Sequence, residues 1–153
     1  NFTNGFRADY TKWAEGYRIS VKGNQVSWYK SKEKDYSYKT FRAYLDVVFA
    51  YAGTLSLAKE LTSVPETSMQ IGDVLIQGGS PGHAVIVVDM AEHPVTGEKL
   101  YLLAQSYMPA QDIQVLVNPK ERDKSPWYTL KGEGNILTPE WGFTSADLKR
   151  FKD

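Results

Sequence analysis

The sequence predicts an α+β domain in which helices and aromatic residues come first and an antiparallel β-meander follows. Three observations predict it. Apolar residues recur at steps of three and four from Tyr38 to Tyr51, the period of a helix with one buried face. A β-branched run from Ala84 to Asp89 is long enough for a buried strand. Turn chemistry then cuts the rest into short pieces, most clearly at Gly78–Gly82 and at Thr96-Gly97.

The N-terminal region carries Phe2, Phe6, Tyr10, Trp13, Tyr17, Trp28, Tyr29 and Tyr36, broken by glycines at 5, 16 and 23. Arg18–Val21 and Val26–Tyr29 alternate around Lys22-Gly23-Asn24-Gln25. That pattern predicts a hairpin with Ile19, Val21, Val26 and Trp28 on its buried face. Trp13 and Tyr17, four apart, fit one short helical face. Core and rim packing accounts for these rings, since aromatic side chains bury large areas in any small domain. The functional alternative is a stacking platform, with Trp13 and Trp28 as the binding residues.

Residues 30–36, KSKEKDY, read as a solvated loop. The helix Tyr38–Tyr51 has Gly53 as its natural stop, and Thr54 or Ser56 caps a second helix that runs through Leu61 and closes before Pro65. Glu66–Gln70 is a polar linker. Ile71–Gln77 reads as a strand that begins through Gly72-Asp73 and ends in the 78–82 corner. Strands 84–90 and 99–106 flank the Thr96-Gly97 turn, and Ile113–Val117 alternates as a further strand. Asn118–Pro126 is charged loop, and Trp127–Leu130 and Ile136-Leu137 are short apolar pieces. Thr144 or Ser145 starts a terminal helix with Leu148 and Phe151 on its inner side.

At 153 residues the chain reads as a single domain with a real core. Lys plus Arg and Asp plus Glu stand at 18 each, with no long basic run, which argues against nucleic acid or an anionic membrane as the main partner. No cysteine is present, so these residues hold no disulfide, thiolate metal site or cysteine nucleophile. Two histidines without HExxH, and no acidic calcium loop, predict no metal site; the lack of a P-loop or GxGxxG fingerprint predicts no cofactor. No run approaches the roughly 20 apolar residues of a transmembrane segment. The start at Asn1, with neither an initiator Met nor a signal segment, reads as a processed product or a fragment.

His83 stands where the glycine-rich corner becomes the strand. A side chain there is held by a rigid sheet yet can face a cleft opened by small residues, as a general base requires. The other reading is a histidine that bonds the backbone of its own turn, and a one-residue slip of register would turn the ring from cleft to core. Ser80, three residues earlier, is a hydroxyl candidate that also suits an ordinary turn.

One order of elements carries a resemblance. An amphipathic helix ends in Ala52-Gly53, and a polar link, a Gly-Asp strand start and a small-residue corner follow. His83 then opens an apolar strand, with a polar residue on the next strand. This order resembles the NlpC/P60 group of cysteine peptidases and amidases. The resemblance implies a papain-like fold, cleavage of peptide or amide bonds in cell-wall peptidoglycan, and His83 as the base. It also implies that Gln105 or a neighbour orients the ring and that a cysteine at a helix N-terminus is the nucleophile. Aligning the helix ends puts Phe41 or Thr40 at the nucleophile's position. A turn centred on Thr96-Gly97 puts the residue opposite His83 near Pro109, roughly 13 Å of strand from Gln105, which makes Gln111 a rival partner.

Over most of its length the chain is more closely similar to a family of secreted Bacteroides-type proteins, domain of unknown function 4846. NFTNGF, KWAEGYR, FRAYLDVVFAYAGTLSLAKEL, PGHAVIVVDMA, YLLAQSYMPAQDIQVL, PWY and TPEW carry that similarity. It implies a periplasmic or extracellular location and further sequence before Asn1 that includes a cysteine opening a helix. The partner implied is a peptidoglycan peptide or glycan. It would be the substrate of a hydrolase, or the ligand of a non-catalytic envelope module that binds glycan or protein through the N-terminal aromatics.

Overall fold

The computed structural model describes residues 1–109 and 111–152. The chain is α+β and forms two compact units, Asn1–Leu57 and Ala58–Asp153.

In the first unit Asp9 caps helix α1 (Tyr10–Ala14) by accepting from the Lys12 N–H at 3.1 Å. Strands β1 (Tyr17–Lys22) and β2 (Gln25–Lys30) form the predicted hairpin, with Ile19 opposite Trp28 and Val21 opposite Val26. Those four residues are half-buried rather than core. The helical face expected to join Trp13 to Tyr17 does not form. Gly16 takes φ +94°, and a Cβ at that position would collide with the Lys32 carbonyl, so the helix ends at Ala14 and Tyr17 enters the hairpin. Helix α2 (Tyr38–Tyr51) has the predicted bounds and is capped by Ser37. It stops because Ala52 turns extended (φ −97°, ψ 147°), and Gly53 does not adopt the left-handed conformation expected of a stop. Helix α3 follows at Thr54–Glu60 and spans the boundary between the units.

The second unit is built on an antiparallel sheet. Its strands are β3 (Thr62–Ser63), β4 (Val74–Gln77), β5 (His83–Glu92), β6 (Lys99–Gln105), β7 (Gln114–Val115), β8 (Tyr128–Thr129) and β11 (Leu148–Arg150). They run in the order β3-β11-β4-β5-β6-β7, and β8 also pairs with β6. A separate hairpin, β9 (Asn135–Leu137) with β10 (Gly142–Thr144), adds Ile136 and Phe143 to the core. From the sheet that core takes Leu75, Val85, Val87, Tyr101, Leu103 and Leu148, the residues that strand alternation turns to one face.

The predicted terminal helix is instead one 3-10 turn, Ser145–Asp147, followed by β11. Asp147 reaches back to the Thr144 N–H at 2.7 Å and completes a capping box that closes after this single turn. Leu148 then pairs with Leu75 and is fully buried, while Phe151 is 56% exposed. The expected polar linker likewise folds as a 3-10 turn, Glu66–Ser68, with Glu66 and Met69 buried. The strand predicted over Ile71–Gln77 begins only at Val74. Gly72 (φ +93°) makes a turn before it, and buried Asp73 holds Arg150 of β11 at 2.6 and 2.9 Å. Among the described residues no helix is long and apolar enough to cross a membrane.

Candidate functional site

Strand alternation on β5 turns His83, Val85 and Val87 to the core face, and His83 occupies the last place on it, 8% exposed. A bulge between Val87 and Asp89 and a hairpin register of Glu92 with Lys99 fix what lies across from it. Together they draw the partner of His83 back from the neighbourhood of Pro109. Continuing the pairs Val87↔Leu103 and Ile86↔Ala104 brings Tyr107 opposite His83 and Gln105 opposite Val85. Gln105 is thus a diagonal neighbour on the same face, within reach of a long side chain. The sequence-based separation of four residues is corrected to two.

The two side chains meet. His83 Nε2 and Gln105 Oε1 are 2.6 Å apart in a buried contact, and Gln105 Nε2 donates to Glu140 Oε2 at 2.8 Å. A carboxylate accepts only, so Glu140 fixes the amide with its nitrogen outward and its oxygen toward the ring. The hydrogen in the imidazole contact therefore sits on Nε2. A proton gained or lost by the ring belongs to Nδ1, which has no hydrogen-bond partner among the described residues.

Three aromatic rings surround the imidazole: Tyr107 edge-on at 5.2 Å, Trp141 tilted at 5.4 Å and Phe143 stacked at 6.1 Å. Glu140 and Trp141 both come from the turn that joins β9 to β10. Thr138 ties it, donating N–H and Oγ1–H to the Trp141 carbonyl at 2.8 and 2.9 Å and accepting the Trp141 N–H at 3.2 Å. Trp141 Nε1 donates to Gln77 Oε1 at 2.9 Å, and Gln77 Nε2 donates to Asp147 Oδ2 at 2.9 Å and to the Gly142 carbonyl at 3.1 Å. A cleft of about 380 Å³ opens beside these groups. Pro81, Gly82 and His83 line one part of it, Ser106, Tyr107, Met108 and Gln111 another, and Trp141 a third. A buried imidazole with one oriented donor, and one nitrogen without a hydrogen-bond partner among the described residues, can take and return a proton beside a cleft.

The other residues singled out from the sequence lie elsewhere or act differently. Gln111 lines the cleft, but its Oε1 accepts from Gln114 at 3.2 Å and it is not the partner of His83. Ser80 is exposed, and the cleft wall begins at Pro81. Trp13 is core: it is 5% exposed, its indole N–H donates to the Thr40 carbonyl at 3.1 Å, and the Arg18 guanidinium covers its ring at 4.2 Å. Trp28 is half-buried, with Phe6 at 5.6 Å and the Lys12 ammonium at 5.4 Å. Thr40 is buried with its hydroxyl given to Asp35 at 2.5 Å, which leaves no free nucleophile at the position aligned with the cysteine. Phe41 in any case bears no nucleophilic atom.

Sequence reasoning missed Glu140, Trp141, Gln77 and Asp147. TPEW, Thr138 to Trp141, was visible as a segment, yet nothing in its spacing tied it to a histidine 57 residues away. Among the described residues no group of three or more His, Cys, Asp or Glu side chains could hold a metal ion.

Fold and site together define an α+β domain with a glutamine-oriented histidine on the wall of a cleft. The chain belongs to the family described as Domain of unknown function (4846), whose model matches residues 1–150. No curated protein and no solved structure matches it.

Proposed function

We propose that this chain is the histidine-bearing part of an exported bacterial cell-envelope hydrolase with an NlpC/P60-like scaffold, acting on peptide bonds of peptidoglycan. The observation that carries the reading is the hydrogen-bonded series His83–Gln105–Glu140 beside the cleft, its first two members buried. His83 is the general base, and Gln105 and Glu140 are positioning residues that hold its ring and keep Nδ1 toward the substrate.

Chemically, Nδ1 takes the proton of a thiol supplied from outside these 153 residues, which themselves hold no cysteine. The thiolate attacks the amide carbon, and the C–N bond breaks as Nδ1–H protonates the departing nitrogen. Water, deprotonated by Nδ1, then attacks the thioester carbon; the C–S bond breaks to release the carboxylic acid, and Nδ1–H returns its proton to the departing thiolate.

A second reading has one observation in its favour. A groove of about 660 Å³ in the first unit lies between the Phe2–Asn4 loop, the β1–β2 turn and Tyr51, and its mixed polar and aromatic wall suits a glycan. It would replace Trp13 and Trp28 as the binding surface of a non-catalytic module.

One assay separates the readings. Peptidoglycan is incubated with the full-length protein, and released peptide and retained protein are both measured. The hydrolase reading predicts release that falls about 10²- to 10⁴-fold in His83→Ala. Retention without release, unchanged by His83→Ala, would overturn it in favour of the module.

A further inference from the structure

The indole of Trp141 is held in the same way as the imidazole of His83. Each ring nitrogen hydrogen that faces the protein is donated to a glutamine oxygen, and each glutamine amide nitrogen is donated to a carboxylate: Gln105 to Glu140, and Gln77 to Asp147. The second arrangement is anchored as firmly as the first. Asp147 also accepts the Thr144 N–H at 2.7 Å, and Gln77 sits directly opposite His83 in the β4–β5 ladder. Core packing alone does not call for such an arrangement, because a half-buried indole can leave its N–H to water. Trp141 is half-buried and lines the cleft, so a ring with a fixed orientation presents a face to whatever enters.

The chemistry of the remaining wall selects among ligands. Besides His83, the described residues that line the cleft carry no ionisable acid or base of the Asp, Glu, Lys or Arg type. A charged group seated there would lose water and gain no opposite charge in exchange. An uncharged apolar or aromatic group would lose little and gain stacking area on Trp141.

Resting on the reading of this cleft as the substrate site, we propose that Trp141 is its specificity-determining residue. It seats an uncharged, apolar or aromatic side chain of the peptide next to the bond that faces His83. Gln77 and Asp147 are positioning residues for the indole.

The test uses the 153-residue chain and three probes: N-acetylphenylalanine amide, N-acetylaspartic acid amide and N-acetyllysine amide. Binding is followed by NMR at the Trp141 indole N–H in chains that keep it, and at the backbone N–H groups of Gly82 and Tyr107 on the cleft wall in every variant. The neutral aromatic probe is expected to shift that resonance saturably, with both charged probes about tenfold weaker or more. Trp141→Ala is expected to abolish binding, Trp141→Phe to retain part of it, and Gln77→Leu to weaken it while the His83 ring keeps its Gln105 contact. Equal binding of charged and neutral probes, no binding of the neutral probe, or full binding by folded Trp141→Ala would overturn the proposal; should Trp141→Ala not fold, Trp141→Phe and Gln77→Leu both binding as tightly as the parent would do so. The two claims fail separately: peptidoglycan release by the full-length protein that is unchanged in His83→Ala counts against the hydrolase reading, whereas probe binding by the parent, Trp141 and Gln77 chains decides this one.

Discussion

At His83 the direction of one hydrogen bond decides the chemistry, and a carboxylate two groups away sets that direction. Glu140 cannot donate, so the Gln105 amide cannot flip, and Nε2 must be the nitrogen that carries hydrogen toward it. Removing the glutamine should act on both stability and chemistry. Gln105→Leu leaves the buried Nε2–H without an acceptor and Glu140 without its donor, at a cost of about 1–3 kcal/mol in urea unfolding. It also frees the ring to carry its proton on either nitrogen, so turnover by the full-length protein should fall even where the fold persists. Loss of stability with turnover unchanged would make the glutamine a packing residue only. Gln111 offers no substitute, since Gln114 already engages its side chain.

At the level of elements, the site depends on strands that bring distant segments together. β11 shows the dependence most simply, because Leu148 is fully buried against β4 and follows the turn that presents Asp147 to Gln77. Leu148→Ala should cost about 2–5 kcal/mol, read as a shift in the urea midpoint at constant slope. A loss well under 1 kcal/mol would mean that this strand is not part of the cooperative core.

The same element shows where sequence reasoning stopped. Tyr38–Tyr51 was legible because fourteen residues repeat one period, and the hairpin around Lys22–Gln25 because its alternation admits one register. Leu148 and Phe151, three apart, fit a helix face equally well, and only the capping box at Thr144 and the pairing with Leu75 distinguish strand from helix. His83 was legible as a candidate, but its partner was not. The Val87/Asp89 bulge that sets Gln105 two residues from it is a tertiary feature with no local signature. Glu140 and Trp141 lay further out of reach, since contacts across 35 residues, Gln105 with Glu140, and 64, Gln77 with Trp141, leave no period to read.

For the molecule as a whole, every residue of both ring-holding arrangements lies in the unit Ala58–Asp153, whose core surrounds Tyr101. Burial, and then the nearby charges of Glu66, Tyr128 and Glu121, push the Tyr101 hydroxyl well above the ordinary value of 10. Tyr128 is raised as well, by burial and then by Glu140. A raised folded value means that the folded state keeps its proton after the unfolded chain has released its own. The stability linked to these groups is therefore complete below pH 10 and is lost as pH rises beyond it. Urea unfolding at about pH 9 and pH 11 should show a loss for the parent chain that is smaller in Tyr101→Phe. An equal loss in both would assign the alkaline limb to other groups.

The central claim, that Gln105 orients His83 with Nδ1 left for chemistry, has a direct measurement. Long-range ¹H–¹⁵N NMR of the imidazole, taken above the pH at which the ring loses its proton, reports which nitrogen is protonated. The structure predicts hydrogen on Nε2 and a bare Nδ1, with the two forms mixing in Gln105→Leu. A neutral ring protonated at Nδ1 in the parent chain, or a pattern unchanged by Gln105→Leu, would contradict the account.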